Sequence, residues 1–284
     1  MSKLIEDLKH IKLAIFDLDG VVYRGQKLIT NVDKVIKELK DLSIRVIYNS
    51  NNSTATKQMY VERLRNFGIL SEKNDFYTSA SITATEITKI KKDSNIYVIG
   101  EKGLREELKF MGHNIIINPK SFDDIDFVIV GLDREFTYKK LAFAQKCVLE
   151  GHAQFYATNT DSTLPAASGI LPGAGTMVNA LETCTGKKPI KIFGKPEPIG
   201  INLILKDIKI PAKNACIFGD RLNTDIVAGN RAGIMTIAVL TGVTSEDMIN
   251  DLKHSLKESE LIDTHLVPDL VIKSLNEIFE KKFR

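Results

Sequence analysis

Short apolar runs, dominated by Ile and Val and separated by stretches with helical spacing, recur along this chain. Runs of this kind read as strands buried on both faces, which limits the chain to an α/β fold built on a parallel sheet. Four of them end in a polar or charged residue: Lys12 to Phe16 in Asp17, Val46 to Asn49 in Ser50, Ile190 to Gly194 in Lys195, and Ala215 to Gly219 in Asp220. Ligands of open α/β sheets bind outside the carboxyl ends of the strands. As strands of one sheet, these runs would therefore bring two carboxylates, a hydroxyl and an ammonium to one edge.

The runs fall into two series. From Lys12 to about Ala80 the pattern predicts strand, helix, strand, helix: Lys12 to Asp17, Asn31 to Leu42, Ile44 to Ser50 and Lys57 to Gly68, with Asn31 as a cap and Gly68 as a stop. Strands at Ile96 to Gly100, Ile115 to Ile117, Phe127 to Gly131 and Gln154 to Thr158 follow, with helices at Gly103 to Met111, Thr137 to Gly151 and Gly175 to Thr185. After Pro189 the first pattern resumes, through strands at Ala215 to Asp220, Met235 to Leu240 and Leu270 to Ile272, with a polar helix and flexible connection over Thr244 to Leu266. Because the polar strand ends lie on both sides of the middle series, the expected layout is a core of residues 1–81 and 188–284. A smaller α/β domain, residues 82–187, would be inserted as a lid. A chain of 284 residues is long enough for both.

Composition narrows the partners. Charged residues make up 26% of the chain and the formal net charge is +3, with Lys and Glu interspersed rather than gathered in a basic stripe, so no nucleic-acid partner is expected. Met1 to His10 has no apolar core and no run is long enough to span a membrane, so the expectation is a soluble, cytoplasmic protein without a membrane partner. Three widely spaced cysteines suggest neither a disulfide framework nor a thiolate zinc site, and Cys216 reads as core. The five histidines show no ligand spacing.

Asp17-Leu18-Asp19-Gly20 turns directly out of a buried strand and sets two carboxylates close together. Such a pair favours a bound cation, because uncompensated buried carboxylates are expensive. An EF-hand is ruled out, since its next ligand position falls on Val21. A hard ion with oxygen ligands, Mg²⁺, fits, and Asp220 and Asp225 supply complementary acids. Taken singly, each residue has a blander reading: paired aspartates as caps or turns, Lys195 as a surface lysine, Ser50 as a cap and Asn223 as a turn former.

As an ordered set, Asp17-Leu18-Asp19-Gly20-Val21, Ser50 in Asn49-Ser50-Asn51-Asn52-Ser53, Lys195 in Gly194-Lys195-Pro196, and Gly219-Asp220 through Asp225 resemble the four motifs of the haloacid dehalogenase superfamily of phosphatases. More narrowly the chain resembles the NagD-like, p-nitrophenylphosphatase-like branch, although Ser50 stands where that branch more often has Thr. The resemblance implies a Rossmann-like core with a C2-type cap and Mg²⁺-dependent hydrolysis of small phosphate esters. It further implies Asp17 as nucleophile, forming an aspartyl-phosphate, and Asp19 as general acid and base. Mg²⁺ would be held by Asp17, Asp220 and the main-chain carbonyl of Asp19. Ser50 and the Asn51 amide would bind phosphoryl oxygens, Lys195 would neutralise charge developing on them, and Asp225 and Asn223 would support. The expected partner is a small-molecule phosphate ester, and the expected assembly a monomer or homodimer. A phosphotransferase using the same intermediate and a non-catalytic binder of phosphometabolites are the alternative functions. The loop Asn159 to Pro165 is expected either to shape substrate access or to form turns and caps.

Overall fold

The structure is a computed structural model that describes residues 3–166, 169–258 and 263–280. Among these, the strands in chain order are β1 (Leu13–Phe16), β2 (Tyr23–Arg24), β3 (Lys27–Leu28), β4 (Arg45–Ser50), β5 (Phe76–Thr78), β6 (Asn95–Ile99), β7 (Asn114–Ile115), β8 (Phe127–Val130), β9 (Gln154–Ala157), β10 (Thr163–Ala166), β11 (Gly169–Pro172), β12 (Lys191–Ile192), β13 (Ala215–Gly219), β14 (Met235–Val239) and β15 (Leu270–Ile272). The α-helices are α1 (Val32–Asp41), α2 (Lys57–Asn66), α3 (Ser79–Ile90), α4 (Lys102–Phe110), α5 (Tyr138–Leu149), α6 (Ala174–Thr185), α7 (Ile199–Ile208), α8 (Val227–Ala232) and α9 (Glu246–Glu258). No helix among the described residues is long and apolar enough to cross a membrane.

The chain divides into two compact units, one of residues 1–50, 61–77 and 195–284 and the other of 51–60 and 78–194. A six-stranded sheet in the order β15-β14-β13-β1-β4-β5 forms the first. From β1 the chain runs outward on one side through β4 and β5, and later on the other through β13, β14 and β15, so the strand order reverses at β1 and β13. That reversal defines a doubly wound α/β sheet, and the crevice for a ligand lies at the reversal. All residues of β1 and β13 are buried. On one face Leu13, Ile15, Ile47 and Ile217 pack with Ile201 and Ile204 of α7 and Ala228 of α8. On the other, Phe16 stacks on Phe218 at 4.7 Å between ring centroids, in the cross-strand register that pairs these residues. Helix α1 follows from its buried stripe of Val32, Val35, Ile36 and Leu39. Asn31 does not cap it as expected: its backbone is left-handed, with φ 64°, and its side-chain oxygen accepts from Lys34 Nζ.

In the second unit a five-stranded sheet runs in the order β12-β9-β8-β6-β7. Val128, Val130, Cys147, Phe155 and Leu181 are among its core residues. Helix α3 is started by a reciprocal cap: Thr78 Oγ1 accepts the Ser81 N–H and Ser81 Oγ accepts the Thr78 N–H.

One expectation fails here. The run Ile190 to Gly194 is not a strand of the sheet that carries Asp17, Ser50 and Asp220. Only Lys191–Ile192 is strand, and it pairs with β9 at the edge of the second sheet. The N–H groups of Ile190, Phe193 and Gly194 continue that alignment, donating to the carbonyls of Phe155, Ala157 and Thr158. An apolar run carries no label for the sheet it joins. The connection expected after the polar helix falls partly on residues 259–262, outside the described residues.

An ion pair to a buried carboxylate anchors the start of α5. Asp133, 1% exposed, accepts from Lys140 Nζ at 2.8 and 3.1 Å and from the Glu135 N–H at 3.0 Å. Replacing Lys140 by Met would strand that carboxylate with one backbone donor. Urea unfolding of Lys140→Met is expected to show a loss of about 3 kcal/mol, in the range for breaking a buried pair from one side. A loss below about 1 kcal/mol would place the pair among ordinary surface salt bridges.

Candidate active site

Strand β1 ends at Phe16, and the next residue, Asp17, donates its N–H to the Phe218 carbonyl at 2.9 Å, so it stays in register with the neighbouring strand β13. Asp220 follows the end of β13. Because paired strands lie only about 5 Å apart, the two carboxylates are forced together. A tight turn after Asp220 returns Asp225 to the same place: the Asp225 N–H donates to the Arg221 carbonyl and the Arg221 N–H to Asp225 Oδ2. One carboxylate oxygen from each of Asp17, Asp220 and Asp225 lies within 4.8 Å of the others.

Into this cluster projects Lys195, 4% exposed. Its Nζ donates to Asp17 Oδ1 at 2.6 Å, to Asp225 Oδ1 at 2.5 Å and to the Asn49 carbonyl at 2.9 Å. Burial alone would lower the Lys195 pKa, but the carboxylates of Asp17 and Asp225 outweigh it and hold the ammonium charged. The acids are less well compensated. Burial pushes Asp17 well above the usual carboxylate range; Lys195 opposes this, while Asp225 and Asp220 reinforce it. Asp220 is pushed up to about 6, by burial first and then by Asp225. Three carboxylates against one ammonium leave the site short of positive charge, and every close ligand atom is a hard oxygen. That donor set fits a hard divalent cation.

The remaining predicted residues are distributed as follows. Asp19 sits on the turn after Asp17 and is not one of the three clustered carboxylates among the described residues. Its pKa is raised by burial, against the opposing charges of Arg63 and Arg221 and the backbone of Gly25. Ser50 is buried at the end of β4. Asn51 opens the second unit, where its Nδ2 donates to both oxygens of Asp161 at 3.1 and 3.2 Å and its carbonyl accepts from Asn159 Nδ2 at 2.8 Å. Asn159 Oδ1 also accepts the Asp161 N–H, a turn-forming bond. Residues 163–166 form a hairpin with 169–172 rather than the expected open loop. Asn223 is exposed on the turn between Asp220 and Asp225.

Sequence reasoning missed the loop after β14. The Val243 N–H donates to Asp220 Oδ2 at 2.8 Å, the Thr244 N–H to the Asp220 carbonyl at 2.9 Å, and Thr241 Oγ1 to the Gly20 carbonyl at 2.6 Å. Gly20 and Gly242 flank the Asp220 carboxylate so closely that a Cβ would lie 2.3 Å and 1.9 Å from its Oδ2. The signal was available: Met235 to Leu240 is a further apolar run, and a Thr-Gly turn at its end reaches the same sheet edge.

Gly20, at φ 90°, combines a positive backbone angle with that steric conflict, whereas Gly25, at φ 54°, has nothing near a would-be Cβ. Gly25→Ala is therefore expected to lose about 1 kcal/mol in urea unfolding, the ordinary left-handed penalty. Gly20→Ala should lose about 3 kcal/mol, because the Asp220 side chain must also move. Equal losses would mean that Asp220 is not packed against Gly20.

Comparison with known proteins agrees with this arrangement. Residues 14–114 match the family model described as haloacid dehalogenase-like hydrolase, and residues 192–278 match a HAD-hydrolase-like model. A 5'-nucleotidase of Bacillus subtilis is 34% identical over 86% of this chain and 93% of its own length. An acid sugar phosphatase of Staphylococcus haemolyticus is 34% identical over 93% of this chain and 95% of its own. The crystal structure of a 4-nitrophenylphosphatase from Thermotoga maritima superposes with a TM-score of 0.84 at 33% identity, covering 96% of this chain and 98% of that one. With its doubly wound sheet, its acid and lysine cluster at the strand reversal, and relatives matched over most of their length, the chain belongs to the haloacid dehalogenase-like hydrolases, in their NagD-like, p-nitrophenylphosphatase-like branch.

Proposed function

We propose that this chain hydrolyses phosphate monoesters of small metabolites through a covalent phosphate on Asp17, with Mg²⁺ as cofactor. Membership of the family makes it a phosphomonoester hydrolase; the intermediate, the ion and the residue roles are the proposal. The observation that carries it is the contact of Asp17 with Lys195 inside a buried group of acids. A carboxylate held by an ammonium, at the carboxyl end of a central strand, is oriented to attack and is placed beside the charge needed to receive an anionic group.

In the proposed reaction an oxygen of Asp17 attacks phosphorus as the bond to the ester oxygen breaks, and Asp19 protonates the departing alkoxide. Asp19 then takes a proton from the water that attacks the acyl phosphate, releasing inorganic phosphate and restoring Asp17 as a carboxylate and Asp19 as the protonated acid. Ser50 and Asn51 hydrogen-bond the phosphoryl oxygens, Asn51 with its main-chain amide, since its side-chain amide donates to Asp161. Lys195 balances charge on the phosphoryl oxygens in the transition state, and Asp225 fixes the direction of the Lys195 side chain. Mg²⁺, held by the carboxylates of Asp17 and Asp220 and the main-chain carbonyl of Asp19, would offset the negative charge of both nucleophile and phosphoryl group. The shortage of positive charge in the acid cluster supports this assignment.

The substrate class rests on the relatives, which are named as a 5'-nucleotidase, an acid sugar phosphatase and a 4-nitrophenylphosphatase. We assign substrate choice to the segment 82–187 acting as a cap, a reading supported by the separate compact unit that contains it. A panel of nucleoside monophosphates, sugar phosphates, glycerol phosphate and p-nitrophenyl phosphate tests the activity, and no turnover on any of them would overturn it.

Asp17→Asn is nearly isosteric yet cannot form an acyl phosphate, so kcat is expected to fall by more than about 10⁴-fold. Unchanged thermal unfolding would show that the fold is kept. Removal of divalent ions with EDTA should abolish turnover and added Mg²⁺ should restore it; full activity after exhaustive chelation would contradict the cation assignment.

A further inference from the structure

The loop after β14 supplies no ligand in the proposed reaction, yet it bonds to both turns that do. In that reading the cation is held by Asp17 and the main-chain carbonyl of Asp19 on the turn after β1, and by Asp220 on the turn after β13. Thr241 Oγ1 donates to the Gly20 carbonyl at 2.6 Å, which ties the loop to the first turn. The Val243 N–H donates to Asp220 Oδ2 at 2.8 Å and the Thr244 N–H to the Asp220 carbonyl at 2.9 Å, which ties it to the second. The loop is itself anchored on either side of these contacts. Leu240 donates its N–H to the Ile272 carbonyl at 2.9 Å, and the Gly242 carbonyl accepts from Arg24 Nη2 at 3.2 Å. Residues 241–244 thus join two turns that lie far apart in sequence.

Gly20 is the joint of the first turn. It is buried, at φ 90°, and having no side chain it has little of its own to limit rotation. Its N–H donates to the Tyr23 carbonyl at 2.8 Å. A trans peptide is planar, so that bond also fixes the Asp19 carbonyl, which points the opposite way in the same plane. The peptide after Gly20 is held by Thr241. We infer that Thr241 is a positioning residue for the cation: its hydroxyl locks the turn of Asp17 and Asp19 to the loop that orients Asp220, and so sets the spacing of the ligands. The inference rests on the reading of Asp17, Asp19 and Asp220 as cation ligands. The hydroxyl is the operative group. Valine fills nearly the same space, but it would leave the carbonyl of the buried Gly20 without that donor and free the turn to shift against Asp220.

The test measures ion binding apart from turnover. Mg²⁺ is titrated into the metal-free full chain while the amide signals of Gly20 and Val243 are followed by NMR. For Thr241→Val the Mg²⁺ dissociation constant is expected to rise about 10-fold, the low end of the range for losing an outer partner of a metal site. Thr241→Ser keeps the hydroxyl and should stay within about 3-fold of the parent. Before any ion is added, hydrogen exchange at the Val243 amide should be faster in Thr241→Val, with the β1 and β13 amides unchanged. Lys140→Met, which loses stability at another place, should bind Mg²⁺ as the parent does. A merely structural role for Thr241 would lower the unfolding temperature but leave the folded protein's Mg²⁺ affinity unchanged. That result, or an unchanged Val243 exchange rate, overturns the inference while Mg²⁺ binding by the parent keeps the cation assignment standing. Equal weakening in Thr241→Ser and Thr241→Val overturns it too, since the hydroxyl would not be the group that matters. No Mg²⁺ binding by the parent would remove the cation assignment itself, and the inference with it. Should Thr241→Val fail to fold, Thr241→Ala takes its place beside Thr241→Ser: weaker binding in the alanine variant alone supports the inference, and equal binding overturns it.

Discussion

One ammonium shared between two of three clustered carboxylates is the constraint on which the rest of this site depends. Lys195 contacts Asp17 and Asp225 directly, and the third acid, Asp220, is held by backbone N–H donors from the loop after β14. Bringing these groups out of water is unfavourable for each of them singly, and their mutual attraction offsets it only while all partners keep their places. The sheet supplies that fixity. Buried strands on either side of β1 hold the residue that follows each strand end, and the Phe16 and Phe218 rings stack across the β1–β13 pair.

Flanking glycines complete the enclosure. The approach of Gly20 and Gly242 to the Asp220 carboxylate leaves no room for a Cβ at either glycine. Three turns thus meet on one charge: the turn after β1, the turn after β13 and the loop after β14. The hairpin adds a further layer: Tyr23 pairs with Asp19 in an isolated bridge, and the Gly25 carbonyl accepts from Arg63.

Much of this was legible in the sequence because period and burial coincide. Strands β1, β4, β13 and β14 are short, apolar and bounded by turn residues, so their identity and the placement of Asp17, Ser50 and Asp220 at their ends followed from pattern alone. Lys195 lies with the acids by another route than its apolar run suggests: the run before it belongs to another sheet, and its side chain reaches the cluster from a loop. Pattern assigns an element its type, whereas its partner is chosen by long-range packing that no local window contains. The short hairpins β2–β3 and β10–β11 were missed for a related reason. Two- to four-residue strands carry too few side chains to show a period. Asn31 shows the opposite error, a residue type that suits a cap but serves as a left-handed turn.

The division of the first unit into separate stretches of sequence has a consequence for how the chain acquires its structure during synthesis. Leu13 pairs with Ala215, about 200 residues later, so the central strand lacks one of its two neighbours until most of the polypeptide has emerged. Residues 78–194, by contrast, are contiguous and contain a whole five-stranded sheet. Translation order then favours early closure of the second unit, while β1 and β4 wait as an incomplete pair with an apolar edge exposed. Asp17 acquires Asp220 as a neighbour only when β13 docks, so the site's chemistry and the completion of its sheet are the same event.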